Sequence, residues 1–514
     1  MNNKKAYLTM VFCAVLLSIF QPGCGHKKHE DPDQAMKALL AEFNAYAVKA
    51  MNDWEVPGMT VAIVRGDQVL FQKAYGVKRM GGTDPVTLNT LFQIGSASKS
   101  FTTTLMAMDV SEGKYKWNDK VIDHLPDFQM FDPWVTSQFE VVDLSAQRSG
   151  MAAHATDGMA IFGFDRAHII DVIRFIEPVS SFRTEFSYVN NLFLVDAQLI
   201  EKYSGESWED NIRDRIFTPL GMTHSSADLA SLVNAPDVAN LHHRIGEQIV
   251  VLPMDWHFMN WPYIFGPSGG INSNIIDMVN WARLHFNNGN FNGRQLIKEE
   301  NAIFIHSPQT IFPYAANQPR SYYCQAWMYR EYNPHPIIWH NGQTSGCKTM
   351  VAFVPQAKLG IVVLTNLNDS MVPESLAWKL FDLYFNNGNR DWSAEELERA
   401  KQARAQEEAN RPTPPPDPEP PLPLDKYEGT YYNPVYEEVQ VELQIDQLVV
   451  TIGPLQAKIF LRTWDGNTFM GSWDMFTEFE DAGFVKFEVD AGGTPVEMTI
   501  DSQNFDGCGV FQRT

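Results

Sequence analysis

Between Arg411 and Leu424 the chain reads RPTPPPDPEPPLPL, eight prolines in fourteen residues. Proline has no backbone N–H to give to a helix or a sheet and fixes φ near −65°. Neither a helix nor a central strand can cross this stretch, and it is expected to be a stiff, extended connector. It therefore divides the 514 residues into two units that must each bury a core of their own. After it, Tyr427 to Thr514 alternates apolar and polar residues in short runs: Val439/Val441/Leu443/Ile445, Leu448/Val450/Ile452 and Val485/Phe487/Val489. Turn signals at Asp465-Gly466-Asn467 and Gly492-Gly493 separate such runs. This two-residue period predicts a small antiparallel barrel or sandwich over residues 425–514.

The part before the prolines mixes both periods. Ala35 to Trp54 carries Met36, Leu39, Leu40, Phe43, Tyr46 and Ala47 at helical spacing. Met59–Val64 and Val69–Tyr75 flank Arg65-Gly66-Asp67, a hairpin signal. Helices are expected to dominate from about Asp119 to Phe286, with particular helices over Asn190–Tyr203, Trp208–Phe217 and Ile275–Phe286. From Tyr322 the chain turns β-rich, over 322–330, 336–340, 348–354 and 360–365. The simplest assembly is α+β: an antiparallel sheet built from both ends of residues 33–390, with a helical insertion between. A charged helix over Ser393–Asn410, with Ser393 and Glu396 placed for a capping box, joins this unit to the prolines, giving a connecting region over 393–424.

The first 24 residues read as a targeting segment. Lys4 and Lys5 precede an apolar run, Ala6–Phe20, too short to span a bilayer comfortably, and Gly23 stands before Cys24. The pattern resembles a bacterial export signal, with Cys24 a candidate lipid acceptor, although Gln21 and Pro22 depart from the usual residues. The expected location is therefore the periplasm or outer envelope, with membrane attachment through a Cys24 lipid. A net charge of −22 and the absence of a basic stripe argue against a nucleic-acid partner. Cys324, Cys347 and Cys508 read as buried thiols, a Cys324–Cys347 pair being the alternative in an exported chain. The His242–His243 and His26/His29 pairs read as solvated, and nothing in the sequence calls for a metal or another cofactor.

Chemistry concentrates at Ser96-Ala97-Ser98-Lys99, at the mouth of an apolar stretch running from Phe101 to Val110. Positions i and i+3 share a helix face, so Lys99 can reach the Ser96 hydroxyl. A lysine desolvated among apolar groups loses its proton readily and can serve as base. Spacing alone does not single out this pair, since Ser111–Lys114 and Ser345–Lys348 share it. The first of these falls at a helix end and the second in a turn.

Two further motifs follow in order: Tyr188-Val189-Asn190 and His340-Asn341-Gly342. With these, residues 33–390 resemble the serine β-lactamase and penicillin-binding-protein superfamily, and within it the class C-like esterases, D-aminopeptidases and related peptidases. Asp143–Gly150, Leu220-Gly221-Met222, Gly269-Gly270-Ile271 and Leu359–Asn366 add to the likeness, while Gln147 stands where that family usually has histidine. The C-terminal unit resembles the lipocalin-like domain appended to some of these peptidases.

The resemblance implies a role for each group. Ser96 attacks a substrate carbonyl, and Lys99 and Tyr188 share the proton work, the Lys99 charge keeping the phenol partly ionised. Asn190 orients the lysine or a substrate amide. The backbone N–H groups of Ser96 and Gln343 form the oxyanion hole, and Gly342 lets substrate approach the strand edge. His340, in place of a lysine, titrates near pH ~6.5, so that it would hold a substrate carboxylate when protonated. The implied reaction is acyl-enzyme hydrolysis of a peptide, D-amino-acid amide or ester in the cell envelope. The substrate is a small molecule or peptide, with selectivity assigned to the Thr156–Phe164 and Trp256–Gly266 loops. A β-lactamase or penicillin-binding carboxypeptidase, and a non-catalytic sensor on the same fold, are the alternatives, and a homo-oligomer is left open. Gly266-Pro267-Ser268-Gly269-Gly270 also matches the Gly-x-Ser-x-Gly nucleophile elbow, which needs a strand before it and a helix after it; a loop is expected there instead.

Overall fold

The computed structural model describes residues 32–313, 319–473, 481–502, 505 and 508–514. The targeting segment with Cys24, and His26 and His29, lie outside the described residues. Helix α1 (Pro32–Asp53) leads into a hairpin of β1 (Gly58–Arg65) and β2 (Gln68–Gly76). Helices α2 (Lys99–Glu112), α3 (Asp157–Ile161), α4 (Leu192–Ser204) and α5 (Ile275–Phe286) belong to the central, mostly helical part. Six strands follow: β3 (Thr310–Phe312), β4 (Ser321–Tyr323), β5 (Met328–Arg330), β6 (Ile337–Gln343), β7 (Lys348–Val354) and β8 (Leu359–Thr365). Helices α6 (Val372–Phe385) and α7 (Trp392–Ala409) complete the unit.

The sheet has eight strands in the order β2-β1-β8-β7-β6-β5-β4-β3, and every neighbouring pair is antiparallel. β1 pairs with β8 across nearly the whole domain, Met59 opposite Thr365 and Arg65 opposite Leu359. Both faces of the central strands are covered, which is why they read as unbroken apolar runs rather than alternating ones. Period-two geometry still sorts their side chains. Val61, Ile63, Met350, Ala352, Ile361 and Val363 join Phe43 of α1 and Leu376 of α6 in one core. Ala62, Val64, Val351, Phe353, Val362 and Leu364 join Phe101 of α2 and Trp281 of α5 in the other. Each such buried large apolar side chain contributes ~1.5–3 kcal/mol over exposure.

The α+β architecture expected from the sequence is the one found. The strand Thr310–Phe312 extends the sheet beyond the expected ones. The helix before the prolines begins on an Asp391 cap, whose carboxylate accepts from the Ala394 N–H at 3.2 Å. Ser393 instead is buried and accepts from Trp54 Nε1 at 3.1 Å, so the expected capping box does not form. The same bond ties α7 to α1. The proline stretch lies along the second unit, with the Gly466 N–H donating to Glu419 O at 2.9 Å.

That second unit is a closed barrel of eight strands, from Gly429–Asn433 to Val510–Arg513, each paired with its sequence neighbour and the last with the first. Tyr427, Tyr431, Phe469, Phe487 and Met498 fill its interior. One core joins these residues to Met159, Ala160, Phe162 and Phe164 of the larger unit, so the barrel is docked and not tethered.

Candidate active site

Ser96 lies on a single 3₁₀ turn, Gly95–Ser98, that runs directly into α2. Two glycines allow this turn to meet the sheet. Gly95 has φ of 53°, and a Cβ there would fall 2.6 Å from the Gln343 backbone. A Cβ on Gly342 would fall 1.8 Å from Ile94 O. The edge of β6 is thus pressed against the serine turn, which brings the Gln343 and Ser96 main chains to the same place. Thr349 of β7 fastens the contact, its hydroxyl donating to Ile94 O at 2.8 Å.

Lys99 is the first residue of α2 and is completely buried. Its Nζ lies 3.2 Å from Ser96 Oγ, 2.5 Å from Asn190 Oδ1 and 3.0 Å from Ser268 O, and stands 4.7 Å from the centre of the Tyr188 ring. Burial pushes the ammonium down to about 7, with the Asp157 carboxylate opposing the shift. Tyr188 hydrogen-bonds Ser96, and burial holds its phenol well above the usual range. The expectation of a partly ionised phenol is therefore corrected: Lys99 is the group that gives up its proton around pH 7, and Tyr188 keeps its own.

His340, 2% exposed, sits on β6 with Nδ1 2.5 Å from Asn341 O and Nε2 3.3 Å from the Tyr323 hydroxyl. A carbonyl only accepts, so Nδ1 carries the hydrogen and Nε2 accepts. Burial and the neighbouring Lys99 push the imidazole down to about 3. The expected titration near pH 6.5 is thereby overturned, and His340 is a neutral hydrogen-bonding group across the physiological range.

Three contributors were given no part in the site by the sequence. Asp157 at the start of α3 accepts from Asn190 Nδ2 at 2.6 Å. Gln147, the departure from the family's histidine, clamps both main-chain groups of Val189, donating to its carbonyl at 3.0 Å and accepting from its N–H at 2.7 Å. Tyr188 and Asn190 flank the clamped residue. Ser268 contributes only its carbonyl to Lys99. Its hydroxyl donates to Phe265 O at 3.1 Å, on a short helix, Gly266–Gly269, that follows another helix and not a strand. The helical turns replace the loop expected there, and the nucleophile-elbow geometry is absent.

The other Ser-x-x-Lys pairs are occupied elsewhere. Lys114 pairs with Asp109 at 2.9 Å, and Lys348 with Glu374 at 3.6 Å. Tyr384 and Tyr431, which open further Tyr-x-Asn matches, lie on α6 and on a barrel strand. Cys324 and Cys347 are buried free thiols. His242 is fully buried and not solvated: it accepts from Met80 N at 2.9 Å and donates to Asn366 O at 2.7 Å.

Above Ser96 opens a cleft of about 680 Å³ walled by Phe186, Trp261, Phe265, Phe312 and Trp339. Among the described residues, no lysine or arginine lines it. Lys99 reaches the site from beneath, behind the serine.

Comparison with known proteins places this arrangement. The family described as Beta-lactamase matches residues 40–383, and a Domain of unknown function (DUF3471) matches residues 413–510. An unguisins hydrolase (ungD′) of Aspergillus campestris is 28% identical over 431 residues, 78% of each chain. Penicillin-binding protein 4 of Amycolatopsis lactamdurans is 27% identical over 60% of this chain and 81% of its own. The structure of an octameric penicillin-binding protein homologue from Pyrococcus abyssi superposes with a TM-score of 0.60 at 19% identity, covering 92% of this chain and 100% of its own, and shares the fold.

Proposed function

The chain belongs to the beta-lactamase family, and from that premise we propose that it hydrolyses esters or amides through an acyl-enzyme on Ser96. The observation that carries this reading is a buried lysine amine, held near 7, 3.2 Å from the serine hydroxyl. Ser96 Oγ attacks the carbonyl carbon while its proton passes to the neutral Lys99 Nζ. The ammonium so formed is received by Asn190 Oδ1 and Ser268 O, which already face it. Negative charge on the former carbonyl oxygen is met by the N–H groups of Ser96 and Gln343. Tyr188, still protonated, gives its proton to the leaving oxygen or nitrogen and regains one from Lys99. Water then repeats the sequence on the acyl-serine.

The substrate reading follows from the cleft. A carboxylate beside the scissile bond is best held by a permanent cation; among the described residues the lining has no lysine or arginine, and burial keeps His340 neutral. Aromatic walls favour an uncharged, largely apolar acyl or leaving group. Esters and amides of this kind are therefore preferred over β-lactams and carboxylate-ended D-alanyl peptides. We further propose export and lipid attachment at Cys24, on the strength of the leader sequence.

A fluorophosphonate probe tests the site directly. Ser96→Ala is expected to abolish labelling, and Ser268→Ala, which keeps the carbonyl, to preserve it. Labelling that survives in Ser96→Ala and disappears in Ser268→Ala refutes the assignment. Purified protein offered a p-nitrophenyl ester, a D-alanyl peptide and nitrocefin is expected to turn over the ester fastest; preference for nitrocefin would overturn the substrate reading while leaving the mechanism intact.

A further inference from the structure

Helix α3 has one end in the active site and the other in the barrel. At the first end, Asp157 Oδ2 accepts from Asn190 Nδ2 at 2.6 Å, and the opposite end of that amide meets Lys99 Nζ at 2.5 Å. His154 Nδ1 approaches the same carboxylate oxygen at 2.9 Å. Thr156, in a left-handed conformation with φ of 71°, accepts from Asn191 Nδ2 at 3.3 Å, and the His154 N–H donates to Tyr188 O at 2.7 Å. The start of the helix is therefore fixed to the segment that carries Tyr188 and Asn190.

At the other end the chain enters the barrel. Phe162 is fully buried, its ring stacked on Trp473 at 5.3 Å and set beside Phe505 at 5.5 Å and Tyr436 at 6.0 Å. The barrel turn at Gly453–Gln456 closes over it, the Leu455 N–H donating to Phe162 O at 3.0 Å. A Cβ on Gly453 would lie 2.5 Å from that same oxygen, and one on Gly163 would lie 2.6 Å from Leu455 Cγ, so the two segments meet closer than any side chain at either glycine would allow. About one and a half turns of helix, rising about 1.5 Å per residue, are all that separates this anchor from Asp157.

We propose that Asp157 is a positioning residue for Lys99, and that the C-terminal barrel sets its place by gripping Phe162. The barrel is then a working part of the catalytic unit and not an appendage. Nothing in the serine, tyrosine and histidine motifs requires a second domain. The geometry nevertheless routes the lysine's principal hydrogen-bond acceptor, Asn190, through a carboxylate that the second domain anchors. The inference rests on Lys99 serving Ser96 as base. The titratable groups around Lys99 are Asp157, Tyr188 and His340, with His154 on the far side of Asp157.

The test uses the full chain and steady-state hydrolysis of a p-nitrophenyl ester, with kcat, KM and the acid limb of kcat/KM read separately. Asp157→Asn keeps an acceptor but removes a charge that favours the ammonium, so the acid limb is expected to move to lower pH. Phe162→Ala is expected to lower kcat about fivefold with KM within about twofold, and to displace the same limb. If Phe162 acts through Asp157, the double variant falls no further than the more affected single one. Should Phe162→Ala fail to fold, Leu455→Asp, at a half-exposed barrel position, carries the same expectation. A folded Phe162→Ala or Leu455→Asp variant with wild-type kcat and an unmoved limb overturns the proposal, as do effects that multiply in the double variant. Failure of the wild type to be labelled at Ser96 refutes the hydrolase reading itself. Normal wild-type turnover with indifferent variants refutes the coupling alone.

Discussion

The most discriminating consequence of the site is the pH dependence of acylation. Desolvation holds the Lys99 ammonium at about 7 against an ordinary 10.5, a displacement worth about 5 kcal/mol between its two protonation states. The sign follows from the chemistry: the neutral amine is the base, so the rate rises with pH until Lys99 has lost its proton and then levels. A group titrating at about 7 is neutral in about 1% of molecules at pH 5 and in about half at pH 7. Acylation is therefore expected to rise about fiftyfold from pH 5 to 7 and only about twofold more from pH 7 to 9. An unperturbed lysine, or a phenol pushed up as Tyr188 is, would instead give roughly a hundredfold in each interval. His340, pushed down to about 3, adds no step in this range. The assay is the second-order rate of fluorophosphonate labelling in buffers of constant ionic strength, with the probe's own hydrolysis subtracted. Lys99→Arg, whose guanidinium stays charged, is expected to lose about 10²–10⁴ of the rate at every pH. A rate that climbs another hundredfold between pH 7 and 9, or a Lys99→Arg variant that retains the wild-type profile, would refute Lys99 as the base.

Three other perturbations probe the frame around it. Gln147→Ala removes both partners of the buried Val189 main chain and is expected to cost about 2–5 kcal/mol in urea unfolding; a loss below about 1 kcal/mol would exclude the clamp. Gly342→Ala places a carbon where Ile94 O already stands, so labelling of Ser96 is expected to fall more than about a hundredfold in whatever fraction folds; wild-type labelling would show that β6 need not press on the serine turn. His340→Lys adds a permanent cation to a cleft lined by no lysine or arginine among the described residues, and is expected to raise the nitrocefin-to-ester rate ratio about tenfold, equivalent to ~1.4 kcal/mol. An unchanged ratio would separate substrate preference from charge at this position.

What the sequence disclosed and what it withheld divide along physical lines. Strand interiors such as Leu359–Thr365 and the alternation of Val439, Val441 and Leu443 are local patterns, and they name their own elements. Ser96 and Lys99 were legible because their relation is one helical turn. Asp157 was not, because its meaning lies in Asn190 and in Phe162's place among barrel aromatics, partners far away in the chain. His340 shows the limit of local reading: a strand-end imidazole reads as titratable until Tyr323 and Lys99 are found beside it. His242 fails in the same way, since both of its hydrogen-bond partners are more than a hundred residues distant. Ser393 is the opposite case. It had the residue type for a cap, but tertiary contact with Trp54 claimed its hydroxyl, and Asp391 took the role.

The pairing of β1 with β8 also governs how the molecule is made. Residues 58–65 can acquire their second neighbour only after 359–365 exist, which at ~5–20 residues per second of synthesis is roughly 15–60 s later. Until then the hairpin offers a bare apolar edge, Val61, Ala62, Ile63 and Val64, to anything that can add a strand. The barrel is the reverse case, since each of its strands pairs with the one just made and only the last closure reaches back to the first. A single polypeptide thus carries a slow-maturing half followed by a fast one, and the nascent first hairpin is where a chaperone has most to protect.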